Sequence, residues 1–252
     1  MTPATIALLI ELNRRFYQDF GAAFAATRRR IQPGIRRVLA GLPAHGRWLD
    51  LGCGSGALAA EWAHQGRRGL YRGLDFSPVL IEAARQAGAG GEHPGLEIDF
   101  APADLGRPDW PAAAGEGPFD GVLAFAVLHH LPSMALRRRI LEQVRTLLGP
   151  GGRFIHSEWQ FQHSPRLVER IQPWERAGLA PADVEPGDTL LDWRYSLPGQ
   201  AEQVGLRYVH RFERDELATL AAATGFRLVE EFESDGQGGR LGLYQAWEVQ
   251  GA

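Results

Sequence analysis

The stretch Trp48-Leu49-Asp50-Leu51-Gly52-Cys53-Gly54-Ser55-Gly56 decides the fold. A short apolar run ends in three glycines within five residues, so a strand gives way to a turn that something must approach closely. The following "ALAAEWAHQG" reads as a helix. Strand, glycine turn and helix in that order form a unit that admits nucleotide ligands, because the helix N-terminus offers its first N–H groups. The dinucleotide fingerprint is G-x-G-x-x-G, whereas these glycines fall at G-x-G-x-G (Gly52, Gly54, Gly56). No G-K-[ST] follows, which excludes a P-loop.

The same alternation continues on both sides. Ile6, Leu9, Ile10, Asn13, Phe16, Tyr17 and Phe20 follow helical spacing over residues 5–20, and "PGIRRVLAGL" reads as a second helix. After the glycine turn, "LYRGLD", "LEIDFA", "FDGVLAFAV" and "GRFIHSEW" read as strands. Between them lie the helices "SPVLIEAARQA", with Ser77 as N-cap and Pro78 in its first turn, and "SMALRRRILEQVRTLL", stopped by "GPGG". Strands alternating with helices imply a parallel sheet covered on both faces. Residues 160–206 break the rhythm with one short helix, "SPRLVERI", and a Pro/Gly/Asp-rich run, a length that suggests a substrate-facing insertion or lid. A helix "RDELATLAAATG" and an antiparallel hairpin, "FRLVEEFES" and "RLGLYQAWEV" joined by "DGQGG", close the chain. The expected organisation is one domain over 1–252. It comprises a helical extension (1–45), a ligand-binding core (46–159), the insertion (160–206) and a terminal helix and hairpin (207–252).

Composition narrows the setting. Cys53 is the only cysteine, so no internal disulfide forms, and no apolar run approaches the ~20 residues of a membrane span; a cytoplasmic location is the expectation. Residues 1–47 hold eight arginines against Glu11 and Asp19, a balance of +6 that leaves −9 for the remainder of a chain whose net charge is −3. Such a basic segment suits nucleic-acid phosphates or a solvated helix face. Arg137, Arg138 and Arg139 share a helix with Leu136, Ile140, Val144 and Leu147, which places the arginines on a solvated face. His156, Glu158 and His163 lack a metal-ligand frame, and no metal is expected.

Three carboxylates specify the ligand. Asp50 precedes the glycine turn, where negative charge disfavours a pyrophosphate and favours a cation. Asp75 ends the second strand, where it can accept both ribose hydroxyls, and Asp104 follows the third strand, where it can accept from an adenine amine. Acids at three successive strand ends, with no Lys or Arg in the glycine loop, describe a site for S-adenosylmethionine.

"LDLGCGSG", "GLDFSPVLIEAAR", "ADL" and "FDGVLAFAVLHHL" resemble the successive motifs of the class I S-adenosylmethionine-dependent methyltransferases, over about residues 47–158. The resemblance implies a doubly wound, mostly parallel seven-stranded α/β sheet with an antiparallel last strand. It also implies a donor site that includes Cys53, Phe76, Leu105, Ala124 and Phe125 besides the glycines and acids. The flanks "FGAAFAATRRRIQP", "PGDTLLDW" and "GLRYVHRFERDEL" are similar to segments of the tRNA wobble-uridine methyltransferases, which esterify a carboxymethyl group. Ala25, "IQP" and Val209 depart from that family's pattern. By this resemblance Thr27, Arg28, Trp193, Arg207, Tyr208 and His210 are acceptor-side positions, and tRNA and a small activating protein are candidate partners.

Methyl transfer from a sulfonium is an in-line displacement, so the protein chiefly aligns donor and acceptor. A carboxylate acceptor is ionised at neutral pH and needs no base, but it needs a cation to hold it, and Arg28 or Arg207 would serve. A hydroxyl or amine acceptor, as in a small metabolite, would call on His129 or His130 as base.

Overall fold

The computed structural model describes residues 1–27, 30–88, 93–195 and 202–250, without the side chains of 22–27. The first strand, β1 (His45–Leu51), leads into the glycine turn and α3 (Ala57–His64); β2 (Arg68–Asp75), α4 (Pro78–Gly88) and β3 (Leu96–Pro102) follow. Then come β4 (Phe119–Phe125), α5 (Met134–Leu147) and β5 (Leu148–Trp159). Two N-terminal helices, α1 (Pro3–Thr27) and α2 (Pro33–Gly41), precede them, and α7 (Arg214–Ala223), β9 (Phe226–Ser234) and β10 (Gly242–Val249) end the sheet. The strand order is β3-β2-β1-β4-β5-β10-β9. β1 to β5 pair in parallel, and β10 lies antiparallel between β5 and β9, as expected.

Alternation along the strands builds two cores. In β4, Val122 and Ala124 face one side with Leu49, Leu51, Phe154 and Trp247, under α5 and α7. Leu123 faces the other side with Trp48, Tyr71, Phe100 and Ile155, under α3 and α4. Ser77 caps α4 as expected, its Oγ accepting from Leu80 N at 3.4 Å, and Ser133 does the same for α5, accepting from Leu136 N at 3.2 Å. The order of strands reverses between β1 and β4, and a crevice opens at their carboxyl ends, where ligands bind in open α/β sheets.

The insertion is more ordered than its composition suggests. The helix expected over "SPRLVERI" is a single turn, α6 (Pro165–Val168). β6 (Ile171–Gln172), β7 (Asp188–Tyr195) and β8 (Gln203–His210) form a three-stranded antiparallel sheet in that order. The boundary expected at 206 therefore falls inside β8. Leu191 and Val209 from this sheet pack on Phe161, giving it a core of its own. α1 runs longer than the spacing over 5–20 indicates and packs along β8, where Asn13 supplies what a neighbouring strand would. Its amide accepts from Tyr208 N at 2.8 Å and donates to Tyr208 O at 3.1 Å.

Arg137 is a correction. It is fully buried, because it shares a helix face with Leu141 and Val144, which pack in the core of the seven-stranded sheet, and its guanidinium reaches Tyr208 of the second sheet. Its Nη2 donates to Tyr208 Oη at 2.8 Å and its Nε to Leu131 O at 2.9 Å. Glu185, Asp188 and Glu216 each lie 3.6 Å from it. Arg138, by contrast, is exposed and pairs with Glu142 at 2.8 Å, as a solvated face requires. Arg139 is tied back to Gly106 O at 2.6 Å.

Candidate functional site

The crevice holds a cavity of ≈ 390 Å³. The glycine turn shapes one wall. Gly52, Gly54 and Gly56 all take positive φ (71°, 55° and 79°), and the turn is pinned by Gly52 N and Cys53 N donating to Leu74 O at 2.7 and 3.0 Å. A Cβ on Gly52 would sit 2.6 Å from Val127, and one on Gly56 3.0 Å from Ala84, so these two glycines serve packing. A Cβ on Gly54 would meet nothing within 4 Å: there the bare backbone borders open space. Gly54 and Gly56 do not line the cavity, nor does Ala124, whose side chain belongs to the core beneath the sheet.

Of the residues expected at the donor site, Asp50, Cys53, Asp75, Phe76, Leu105 and Phe125 line the cavity with Gly52 and Asp104. Asp75 is buried, and its oxygens accept from Gly54 N at 3.0 Å and Ser77 N at 2.9 Å; burial raises its pKa against those bonds. Asp50 accepts from Tyr71 Oη, and burial pushes its pKa up to about 7, with the Tyr71 bond lowering it and Asp75 raising it. Burial, Asp50 and Asp75 together push the Cys53 thiol up, so it is no nucleophile at neutral pH. Two buried carboxylates on the cavity wall suit a cation, and the residues that line it could hold S-adenosylmethionine. Among the described residues no group could hold a metal ion.

The rest of the cavity lining was less legible. Arg207 is 3% exposed and lines the cavity, with its guanidinium carbon 4.5 Å from the Trp159 ring centre and 5.4 Å from that of Phe16. His129 also lines it; its Nδ1 lies 3.0 Å from Glu158 Oε2, and its backbone N–H donates to the same oxygen at 3.1 Å. Glu158 is fully buried, which raises its pKa well above the ordinary carboxylate range while Arg137 lowers it. His156 Nδ1 lies 2.9 Å from Glu158 Oε1, and burial lowers the His156 pKa to about 3, so its ring is neutral. Glu158 and Trp159 were not read as site residues; their signal is the position at the end of β5, where β1, β2 and β4 also deliver theirs. α1 closes the cavity with Asn13, Arg14 and Tyr17, another contribution that helical periodicity alone does not reveal.

Three acceptor-side expectations part from the cavity. Tyr208 and His210 do not line it. Tyr208 Oη donates to Asp188 at 2.6 Å, and the His210 ring bridges Asp188 at 2.7 Å and Glu216 at 2.9 Å, so both complete the Arg137 cluster. Alternation along β8 sends Arg207 to one face and this pair's bonds to the other side of the second sheet. Trp193 packs on Phe16, Phe20 and Tyr195 outside the cavity. Arg28 lies outside the described residues, as does the Thr27 side chain.

A family model described as a methyltransferase domain matches residues 24–231. This chain belongs to the class I S-adenosylmethionine-dependent methyltransferases. The methyltransferase is similar to a ubiquinone biosynthesis O-methyltransferase of Xylella fastidiosa (34% identity over 114 residues, 44% of this chain and 41% of that one). It is also similar to the probable tRNA methyltransferase 9B of Mus musculus (24% over 175 residues, 67% of this chain and 35% of that one). The chain thus spans less than half of either relative. Its fold is that of a Burkholderia thailandensis 1,6-didemethyltoxoflavin-N1-methyltransferase solved with S-adenosylhomocysteine (TM-score 0.62, 22% identity, 100% of this chain and 92% of that one). The donor of this methyltransferase is S-adenosylmethionine.

Proposed function

We propose that this methyltransferase esterifies the carboxylate of a carboxymethyl-modified wobble uridine in tRNA. One observation bears on the choice of acceptor group: Arg207, a buried cation, lines the same cavity as the carboxylates of the donor side. A cation in the cavity favours an anionic acceptor, and the donor-side acids favour the positively charged donor. The tRNA part rests on the flanking segments and on the relative named for tRNA methylation, which aligns over more of this chain than the ubiquinone enzyme does.

The bound donor supplies a methyl group on a sulfonium. Asp75 would accept the ribose hydroxyls, Asp104 the adenine amine, and Asp50 would favour the cation. Arg207 would fix the acceptor carboxylate by charge-assisted hydrogen bonds, so that one oxygen faces the methyl group. No proton leaves a carboxylate, so this reaction needs alignment and no base. The basic N-terminal segment is partly engaged by the fold: Arg14 pairs with Asp104, Arg36 with Glu61 and Arg37 with Glu230. Arg30, exposed at the cavity rim, is the described residue best placed to meet a phosphate.

A second reading has His129 in its favour. Its ring is held by the buried Glu158 on the cavity wall, the arrangement a hydroxyl or amine acceptor would require of a base. One experiment separates the two. Tritiated methyl transfer from S-adenosylmethionine into tRNA bearing carboxymethyluridine should yield label that mild alkali releases as methanol. Alkali-stable label, or label confined to a metabolite fraction, would overturn the ester reading.

A further inference from the structure

The N-terminal arginines read from the sequence as a phosphate-binding or solvated face, yet Arg14 turns inward. It lines the cavity, and its Nη2 donates to Asp104 Oδ2 at 2.7 Å while Nη1 donates to Glu11 at 2.8 Å. The other Asp104 oxygen accepts from Gly106 N at 2.8 Å. Each carboxylate oxygen is thus engaged once, which fixes the plane of the carboxylate and leaves its remaining lone pairs in set directions. The turn carrying Asp104 is held from behind as well, since Arg139 of α5 donates to Gly106 O at 2.6 Å.

The helix bearing Arg14 is itself firmly placed. Besides its bonds to Tyr208, Asn13 donates to His130 O at 3.0 Å, and Tyr17 Oη meets His130 Nε2 at 3.0 Å. Tyr17 also stands edge-on to Phe76, the residue after Asp75, with ring centres 5.8 Å apart. α1 therefore bears on donor-side segments at two points, Phe76 and Asp104.

We propose that Arg14 is a positioning residue of the donor site, which acts through Asp104 to select an adenine amine. The Arg14 and Asp104 side chains are 36% and 26% exposed, so the pair adds little to folding. Its effect lies in presenting a preorganised acceptor to the exocyclic amine, which a mobile carboxylate would first have to be ordered to meet. The inference rests on the adenine lying at Asp104 and is independent of the methyl acceptor.

Calorimetric titration of the full chain with S-adenosylhomocysteine and with its deaminated analogue, S-inosylhomocysteine, tests it. Arg14→Ala should weaken S-adenosylhomocysteine binding about tenfold and narrow its advantage over the inosine analogue, with Arg14→Lys recovering part of both. Arg15→Ala serves as control, because Arg15 is 72% exposed and pairs with Glu11 on the outer face. In an Asp104→Asn background the Arg14→Ala effect should vanish, with thermal midpoints nearly unchanged throughout. The proposal is overturned if Arg14→Ala binds S-adenosylhomocysteine as the parent does. It is equally overturned if both ligands weaken alike, or if the two substitutions add fully.

Discussion

Asp50 ties the stability of the methyltransferase to pH in a way that can be isolated. Burial raises its pKa from 3.8 to about 7, so the folded protein retains a proton that the unfolded chain releases near pH 4. The sign follows: stability from this group is fully present below pH 4 and is lost as pH rises through about 7. The gap between 3.8 and about 7, at about 1.4 kcal/mol per unit, sets the loss at roughly 4 kcal/mol. Asp75 and Glu158, whose pKa values are also raised by burial, tilt the curve in the same direction. The Asp50→Asn protein removes the Asp50 part alone, since an amide can still accept from Tyr71. Urea denaturation of the ligand-free protein at several pH values from 5 to 8 should show the variant gaining on the parent as pH rises. Parallel curves for the two proteins would refute the assigned burial of charge.

Asp75→Ala removes the acceptor of two backbone N–H groups and of the ribose; S-adenosylhomocysteine binding should weaken over a hundredfold, about 3 kcal/mol, by calorimetry. An unchanged affinity would show the nucleoside lies elsewhere. Gly54→Ala places a methyl group in open space at positive φ, so the chain should fold with a modest loss, about 1–2 kcal/mol, yet bind S-adenosylhomocysteine more than tenfold less well. Parent-like binding would mean that no ligand approaches there. Arg137→Met leaves Glu185, Asp188 and Glu216 without their buried cation, and should cost about 3–5 kcal/mol in urea denaturation at pH 7. A loss under 1 kcal/mol would contradict the cluster's structural role.

The donor side was legible because each of its groups is local. Strand, turn and helix follow one another in sequence, and Asp50, Asp75 and Asp104 reach one crevice only because parallel strands bring all their carboxyl ends to one edge. The second sheet was hidden by its own punctuation. Pro186 and Gly187 precede β7 directly, and Arg207 and His210 interrupt the apolar alternation of β8, so neither strand stands out from a loop. Arg137 sits on a helix face with Leu141 and Val144, but a charge there reads as solvated until partners far along the chain are known. Glu158 and Arg14 were obscured for the same reason: what each faces is set by tertiary packing across the crevice.

The most direct test of the whole account is calorimetric titration of the protein with S-adenosylmethionine beside NAD and ATP, in buffers of different ionisation enthalpy. A cation placed against Asp50 lowers that carboxyl's pKa, so S-adenosylmethionine should bind one to one, release a proton near pH 7 and bind more tightly as pH rises from 6 to 8. Silence toward S-adenosylmethionine together with clear uptake of NAD or ATP would contradict it.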